Sequence, residues 1–375
     1  MKSEEKMVLG SHMPNYAIDE WKAKGGKVVG TICCHVPEEI IHAADMLPVR
    51  LRGNGCTADS QAEVWMSSFS CSFVRACLEQ LLDGTYSFMD GVVSSDGCQM
   101  AQRLFDNWNH TDTKTYKQLL IAPRKYRAES ASFYREELGK FKKGMETLSG
   151  IAITDEKLKE STRLYNETRR LIKELYDLRK CDAPVITGTE SLRWILAAMS
   201  MPKDEYNELL SAFLKEAKER APLNNIRARL MIIGSALDDP EFLKIIEDQG
   251  GLIVTDTQCF GTRYLWEPVE LTDEDALTSL AEAYLSRPSC PRMCNLHNEL
   301  YDFIMDMKND FKVDGIIFVK LKNCDTWGGE SLYIQDKLKA SNIPVLTLER
   351  EQIMTNAGQV AVRAEAFIEM IEEGK

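Results

Sequence analysis

The chain has no CxxC pair, no GxxxxGK[ST] phosphate loop, no GxGxxG turn behind a strand and no GxSxG elbow. Without CxxC, thiol–disulfide exchange and paired-ligand zinc sites lose their usual signature. Without the phosphate loop or the glycine fingerprint, neither ATP hydrolysis nor dinucleotide binding is expected, and no nucleotide is assigned to this chain. Without the elbow, serine-hydrolase chemistry is not indicated. Positive charge is also short: 46 basic against 58 acidic residues leave a formal net charge of −12, with no dense Lys/Arg run interleaved with aromatics. Phosphate backbones need a basic footprint, so nucleic acid is not an expected partner. No apolar stretch reaches the ~18 residues of a membrane helix, so no membrane association is expected. The opening MKSEEKMVLGSHMPNY lacks the apolar region of a signal peptide, which points to the cytoplasm.

Cysteine, by contrast, is plentiful: eleven residues, at 33, 34, 56, 71, 77, 98, 181, 259, 290, 294 and 324. Structural disulfides are rare in the cytoplasm, which leaves metal binding, redox work or plain buried thiols. At 375 residues the chain exceeds what one core usually serves, so two or three domains are expected.

Short β-rich runs alternate with helical patterns. GKVVGTIC (26–33) reads as a buried strand, PEEIIHAADM (37–46) as a helix and LPVRLRG as a second strand. SCSFVRACLEQLLDG is helical, DGVVSS (90–95) a strand, residues 98–108 a helix and QLLIAP (118–123) another strand. Such alternation implies a parallel sheet covered by helices. From about residue 128 to 222 the strand signal fades into long charged helical patterns. RLMIIG, GGLIVTD, DGIIFVKL and IPVLTLE then restore the β/α rhythm, and NAGQVAVRAEAFIEMIEE closes the chain as a helix. The expected fold is α/β, with two flavodoxin-like parallel-sheet domains at 1–127 and 226–375 and a helical region at 128–225. DGVVSSDGC and DGIIFVKLKNC echo one another across the halves.

The cysteines fall on this framework with a bias. Cys33, Cys98, Cys259 and Cys324 each lie at or just past a strand end, Cys71 at a helix start and Cys290 in the proline-broken loop PSCPRMC. Ligands bind outside the carboxyl ends of parallel strands, and helix N-termini favour thiolates. A single strand-end cysteine is an inert buried thiol roughly two times in three; four in the same placement weaken that reading. Cys56, Cys77 and Cys181 are expected to be structural, while Cys34 and Cys294 stand beside candidates and compete with them. Six dispersed thiols with little histidine suit iron–sulfur chemistry better than zinc. Glu38, Glu39 and His35 lie close by as candidate proton-relay groups, although acids at a helix start more often serve the helix dipole.

VPEEIIHAADMLPVRL, FSCSFVRACLE, DGVVSSDGCQ, FVKLKNCDTWGGE and GQVAVRAEAFIEM together resemble the 2-hydroxyacyl-CoA dehydratase and benzoyl-CoA reductase superfamily, from about residue 20 to the C-terminus. Asp45 stands where many members have glycine. The resemblance implies a 4Fe–4S cluster on Cys71, Cys98 and Cys324, and an ATP-hydrolysing iron–sulfur activator that injects low-potential electrons. Within the superfamily the double-cubane branch implies Cys33, Cys259 and Cys290 as three further ligands, two bridged cubanes, a homodimer and a small-molecule substrate. That branch is the main expectation, because all six positions are cysteine, and Cys34 is then expected on the opposite strand face, away from the ligands. The alternative is a single-cluster subunit paired with a homologous second subunit, performing ketyl-radical dehydration or reduction of a CoA thioester. An expectation of another class is a non-catalytic metal or cluster carrier.

Overall fold

The computed structural model describes residues 3–264, 266–272 and 275–374. Helices α1 (Ser3–Gly10) and α2 (Tyr16–Ala23) lead into β1 (Val28–Ile32), α3 (Glu38–His42), β2 (Leu47–Arg50), α4 (Ser72–Leu82), β3 (Gly91–Ser95), α5 (Gln99–Thr111) and β4 (Tyr116–Leu120). Four helices follow without a strand: α6 (Ala128–Ser149), α7 (Asp155–Lys180), α8 (Gly188–Ala198) and α9 (Lys203–Lys218). The second half runs β5 (Ala228–Gly234), α10 (Pro240–Glu247), β6 (Gly251–Asp256), α11 (Ala276–Ser286), α12 (His297–Asp310), β7 (Gly315–Leu321), α13 (Asp325–Ala340), β8 (Val345–Arg350) and α14 (Ala357–Glu373).

These strands form two four-stranded sheets, ordered β2-β1-β3-β4 and β6-β5-β7-β8, with every pair parallel. The expected α/β architecture with two parallel-sheet domains is therefore present. The echo between DGVVSSDGC and DGIIFVKLKNC is topological: each supplies the third strand of its sheet and ends on a cysteine that starts a helix.

Parallel sheets are covered on both faces, and the first one shows how. Val28, Ile32 and Val92 pack into one core with α4 and α5, around Leu78, Leu104 and Trp108. Their strand neighbours Val29 and Val93 point into another core with α3, α6 and α11, around Tyr134, Phe141 and Leu280. A larger core joins the second sheet to α7, α8 and α9. Because α11 follows β6 yet packs on α6, the two halves share a face.

Helices α1 and α2 are not expected from the sequence, the strand expected over LPVRLRG ends at Arg50, and two further departures have a visible cause. Helix α3 stops at His42 instead of reaching Met46, because Asp45 takes a left-handed backbone (φ +56°) to turn the chain into β2. Aspartate tolerates that region, which explains how it replaces glycine there. The strand expected at 118–123 instead spans Tyr116–Leu120: its neighbour in the sheet, β3, ends at Ser95, opposite Leu120.

Candidate metal centre

Parallel order opens a crevice where strand connections diverge, between β1 and β3 in one sheet and β5 and β7 in the other. The carboxyl ends of the two sheets face a common cavity, about 800 Å³ of empty volume that is partly open to solvent. Cys33 enters from β1, Cys98 from behind β3, Cys259 from behind β6 and Cys324 from behind β7. Cys71 reaches it from the start of α4, and Cys290 from the loop between α11 and α12. All six cysteines singled out from the sequence thus line one cavity, and Cys34 is a seventh. Cys294 is exposed and Cys181 likewise, while Cys77 is buried on the core face of α4. Cys56 spends its thiol on the Ala58 carbonyl.

Cys34 corrects an expectation. Strand alternation sends it away from Cys33, but Cys33 has a left-handed backbone (φ +79°), so the strand has ended and both thiols turn to the cavity. The Gly97 backbone presses close: a Cβ there would sit 3.2 Å from Cys33 Sγ.

Cys71, Cys98 and Cys324 occupy the N-cap positions of α4, α5 and α13. The Ala101 amide donates to Cys98 Sγ at 3.5 Å. The helix ends do not make the Cys71 and Cys98 thiols acidic, contrary to the general expectation for such positions. Burial pushes Cys71 up to about 12 and Cys98 up to about 11, and also raises Cys259. Cys33 is the exception, held well below the ordinary thiol value by a hydrogen bond from Cys34. A bound metal reverses the burial effect, since a coordinating thiol is deprotonated outright.

Apart from Thr326, whose hydroxyl lies 3.7 Å from Cys324 Sγ, the remaining wall is apolar (Phe73, Val74, Ala101, Leu321, Trp327 among others) or cationic (Arg50, Arg263, Arg292), and among the described residues no carboxylate lines it. Arg292 is neutralised by Asp96 at 3.3 Å and donates to the Ala122 and Pro123 carbonyls. The arginines are the functional candidates missed in the sequence. Arg50 ends β2, where strand-end logic alone would have found it; Arg263 lies in a turn and carries no such signal.

Glu38, Glu39 and His35 are buried behind the wall. Glu39 pairs with Arg169 at 2.5 Å and accepts from Tyr284 at 2.7 Å. Glu38 accepts from Tyr264 at 2.6 Å and lies 3.4 Å from Lys203. Burial raises the Glu38 carboxyl; it also opposes ionisation of Glu39, but the Arg169 guanidinium holds that carboxyl below its ordinary value. Burial drives His35 down to about 3, so its ring is neutral, and its Nδ1 has no partner among the described residues.

Among the described residues, no three His, Cys, Asp or Glu side chains converge as they would on a single ion. A cluster differs, because its thiolates bind separate iron atoms and stand further apart. Soft thiol donors from both halves, in a buried carboxylate-free cavity, fit an iron–sulfur group.

The family model for the D-component of 2-hydroxyglutaryl-CoA dehydratase matches residues 33–371. The chain belongs to this family. It is 26% identical to a benzoyl-CoA reductase subunit of Thauera aromatica over 352 residues, covering 92% of this chain and 90% of that protein. It is 25% identical to the (R)-phenyllactyl-CoA dehydratase beta subunit of Clostridium sporogenes, covering 95% of each. To the beta subunit of (R)-2-hydroxyglutaryl-CoA dehydratase of Acidaminococcus fermentans it is 23% identical, covering 96% and 97%. The chain is accordingly an enzyme component of the dehydratase and reductase class. No helix among the described residues is long and apolar enough to cross a membrane.

Proposed function

We propose that this chain is the iron–sulfur subunit of an enzyme that dehydrates a 2-hydroxyacyl-CoA or reduces an acyl-CoA thioester. The observation that carries this reading is the meeting of cysteines from both sheets in one cavity. The names of the relatives, all dehydratase or reductase subunits, favour it over the double-cubane reductase put first from the sequence. Cys71, Cys98 and Cys324 would hold the cluster, each presented by a helix N-terminus whose dipole favours negative charge. When bound, the cluster supplies single electrons at low potential. Phe73, Val74 and Trp327 give the cavity an apolar lining. His35, two residues after Cys33, with a neutral ring and Nδ1 unpartnered among the described residues, is the relay candidate left to pass a proton; both glutamates are engaged elsewhere. A second subunit and an ATP-hydrolysing activator complete the proposed enzyme, which works in the cytoplasm.

A second reading is favoured by one specific observation. Cys33, Cys259 and Cys290 line the same cavity as the first three cysteines, which suits a six-thiolate double cluster. Counting iron and acid-labile sulfide in anaerobically purified protein separates the two. About four irons per chain, unchanged in Cys33→Ser, support the single-cluster subunit; about eight, lowered in Cys33→Ser, support the double cluster. Stoichiometric zinc, or no iron after reconstitution, would sink both.

A further inference from the structure

The cavity has two electrostatically different ends. At the first, Cys71, Cys98 and Cys324 each cap a helix, and the charges felt by Cys71 and Cys98 come from other cysteines. At the second, no helix starts at the sulfurs: Cys33 is followed by a turn, Cys259 lies in the irregular segment after β6, and Cys290 lies seven residues before α12. This second end carries guanidiniums instead. Arg263 lines the cavity together with Cys290, Cys259 and Cys34, and its charge acts on all three. Arg50 acts on both Cys33 and Cys259.

Among the described residues, neither guanidinium has a carboxylate within ion-pair distance, unlike Arg292 nearby. Arg50 is 5% exposed and Arg263 3%. Arg50 Nε and Nη1, and Arg263 Nη1, are buried there without a hydrogen-bond partner. Arg50 lies 5.3 Å over the Phe260 ring and Arg263 5.6 Å over Trp327; Arg263 Nε donates to the Thr257 carbonyl. The carboxylate that Arg50 does feel, Glu38, is already engaged by Lys203 and Tyr264. Two buried charges left this way are costly, so the folded chain is built for an anion at this place.

We propose that Arg50 and Arg263 are the charge-compensating residues of the Cys33–Cys259–Cys290 end, where they hold a thiolate-bound anionic iron–sulfur group and raise its reduction potential. The helix dipoles do for one end what the guanidiniums do for the other. This inference rests on the second, six-thiolate reading of the cavity and deepens it, because it assigns an anionic group to the end that a three-cysteine site does not use.

The test uses the full chain, purified anaerobically, with Arg50→Met and Arg263→Met compared with Arg50→Lys and Arg263→Lys. Melting is followed with and without iron, and the midpoint potential by redox titration with EPR detection. Removing an unpaired charge from the metal-free chain should raise its melting temperature, whereas the same change in the loaded chain should lower it. The Met variants should also titrate at a more negative potential, with the Lys variants nearer wild type. Loss of iron from the Met variants alone would support the same role, since charge distinguishes them from Lys. Loss from both pairs, an unchanged midpoint at full iron content, or melting shifts of the same sign in both states would overturn it. Wild-type protein that binds no iron, or only about four irons per chain unchanged in Cys33→Ser, would overturn the parent reading as well, and about eight irons per chain with unresponsive variants would overturn this inference alone.

Discussion

Arg169 and Glu39 are 1% and 0% exposed, and each is the other's counter-charge between α7 and α3. Such a pair contributes little over an apolar pair of the same volume, but losing one member strands the other. Arg169→Met should therefore destabilise the chain by about 3–5 kcal/mol, read from denaturant unfolding, with Glu39→Leu in the same background restoring part of it. The pH dependence follows from the direction of the Glu39 shift. Its carboxyl is held below the ordinary 4.5, so its contribution is complete above that pH and is lost as acid takes the pH through the lower folded value. The gap between wild type and Arg169→Met should accordingly narrow on acidification below about pH 4.5; a gap that stays constant to about pH 3 would contradict the assignment. Nothing local announced this pair: EE at a helix start reads equally well as dipole partners, and only packing brought Arg169 of α7 and Tyr284 of α11 to Glu39, and Lys203 of α9 and Tyr264 to Glu38.

Among the elements, the two sheets are set by hydrophobic runs legible along the chain, and their helices by capping residues such as Asn15, Thr154 and Thr187, whose side chains accept from the first-turn amides. The strand ends are where local rules fail. Gly234 closes β5 with φ +120°, and a Cβ there would lie 2.0 Å from the Val319 carbonyl oxygen of β7. Gly234→Ala meets both backbone strain and this clash, so a loss of about 3 kcal/mol is expected, visible as a lowered denaturant midpoint. A near-neutral substitution would mean that β5 and β7 can part at the cavity edge without cost. The left-handed turn at Cys33 is a second such place. Alternation along β1 predicted the facing of Cys34, and the prediction failed because the strand had already ended.

Across the molecule as a whole, the cavity exists only while the halves stay together. Asp238, beyond β5, accepts from the Gly53 and Asn54 amides beyond β2 at 2.7 and 2.9 Å, and from Gln352 at 2.6 Å. The Gln352 amide in turn donates to Ser72, beside Cys71. Asp238 is fully buried, and its charge also stabilises the buried Arg52 and Arg350. Asp238→Ala leaves three donors unpaired and should cost about 3 kcal/mol or more. Because the latch spans the cavity walls, the variant should also release iron faster to a chelator; unchanged stability and release would show that the halves are held elsewhere.

Periodicity, turn chemistry and short motifs sufficed for the two parallel sheets, the helical stretch between them, the six cysteines at strand ends and loops, and the family. Each of these survives in a single line of residues, because each depends on neighbours along the chain. Packing was needed to bring the six thiols into one cavity, to add Cys34 to them, to place Glu38 and Glu39 behind its wall and to leave Arg50 and Arg263 unpaired there. These features depend on residues distant in sequence: burial removes water, and the partner that replaces it, or is missing, comes from the other half of the chain.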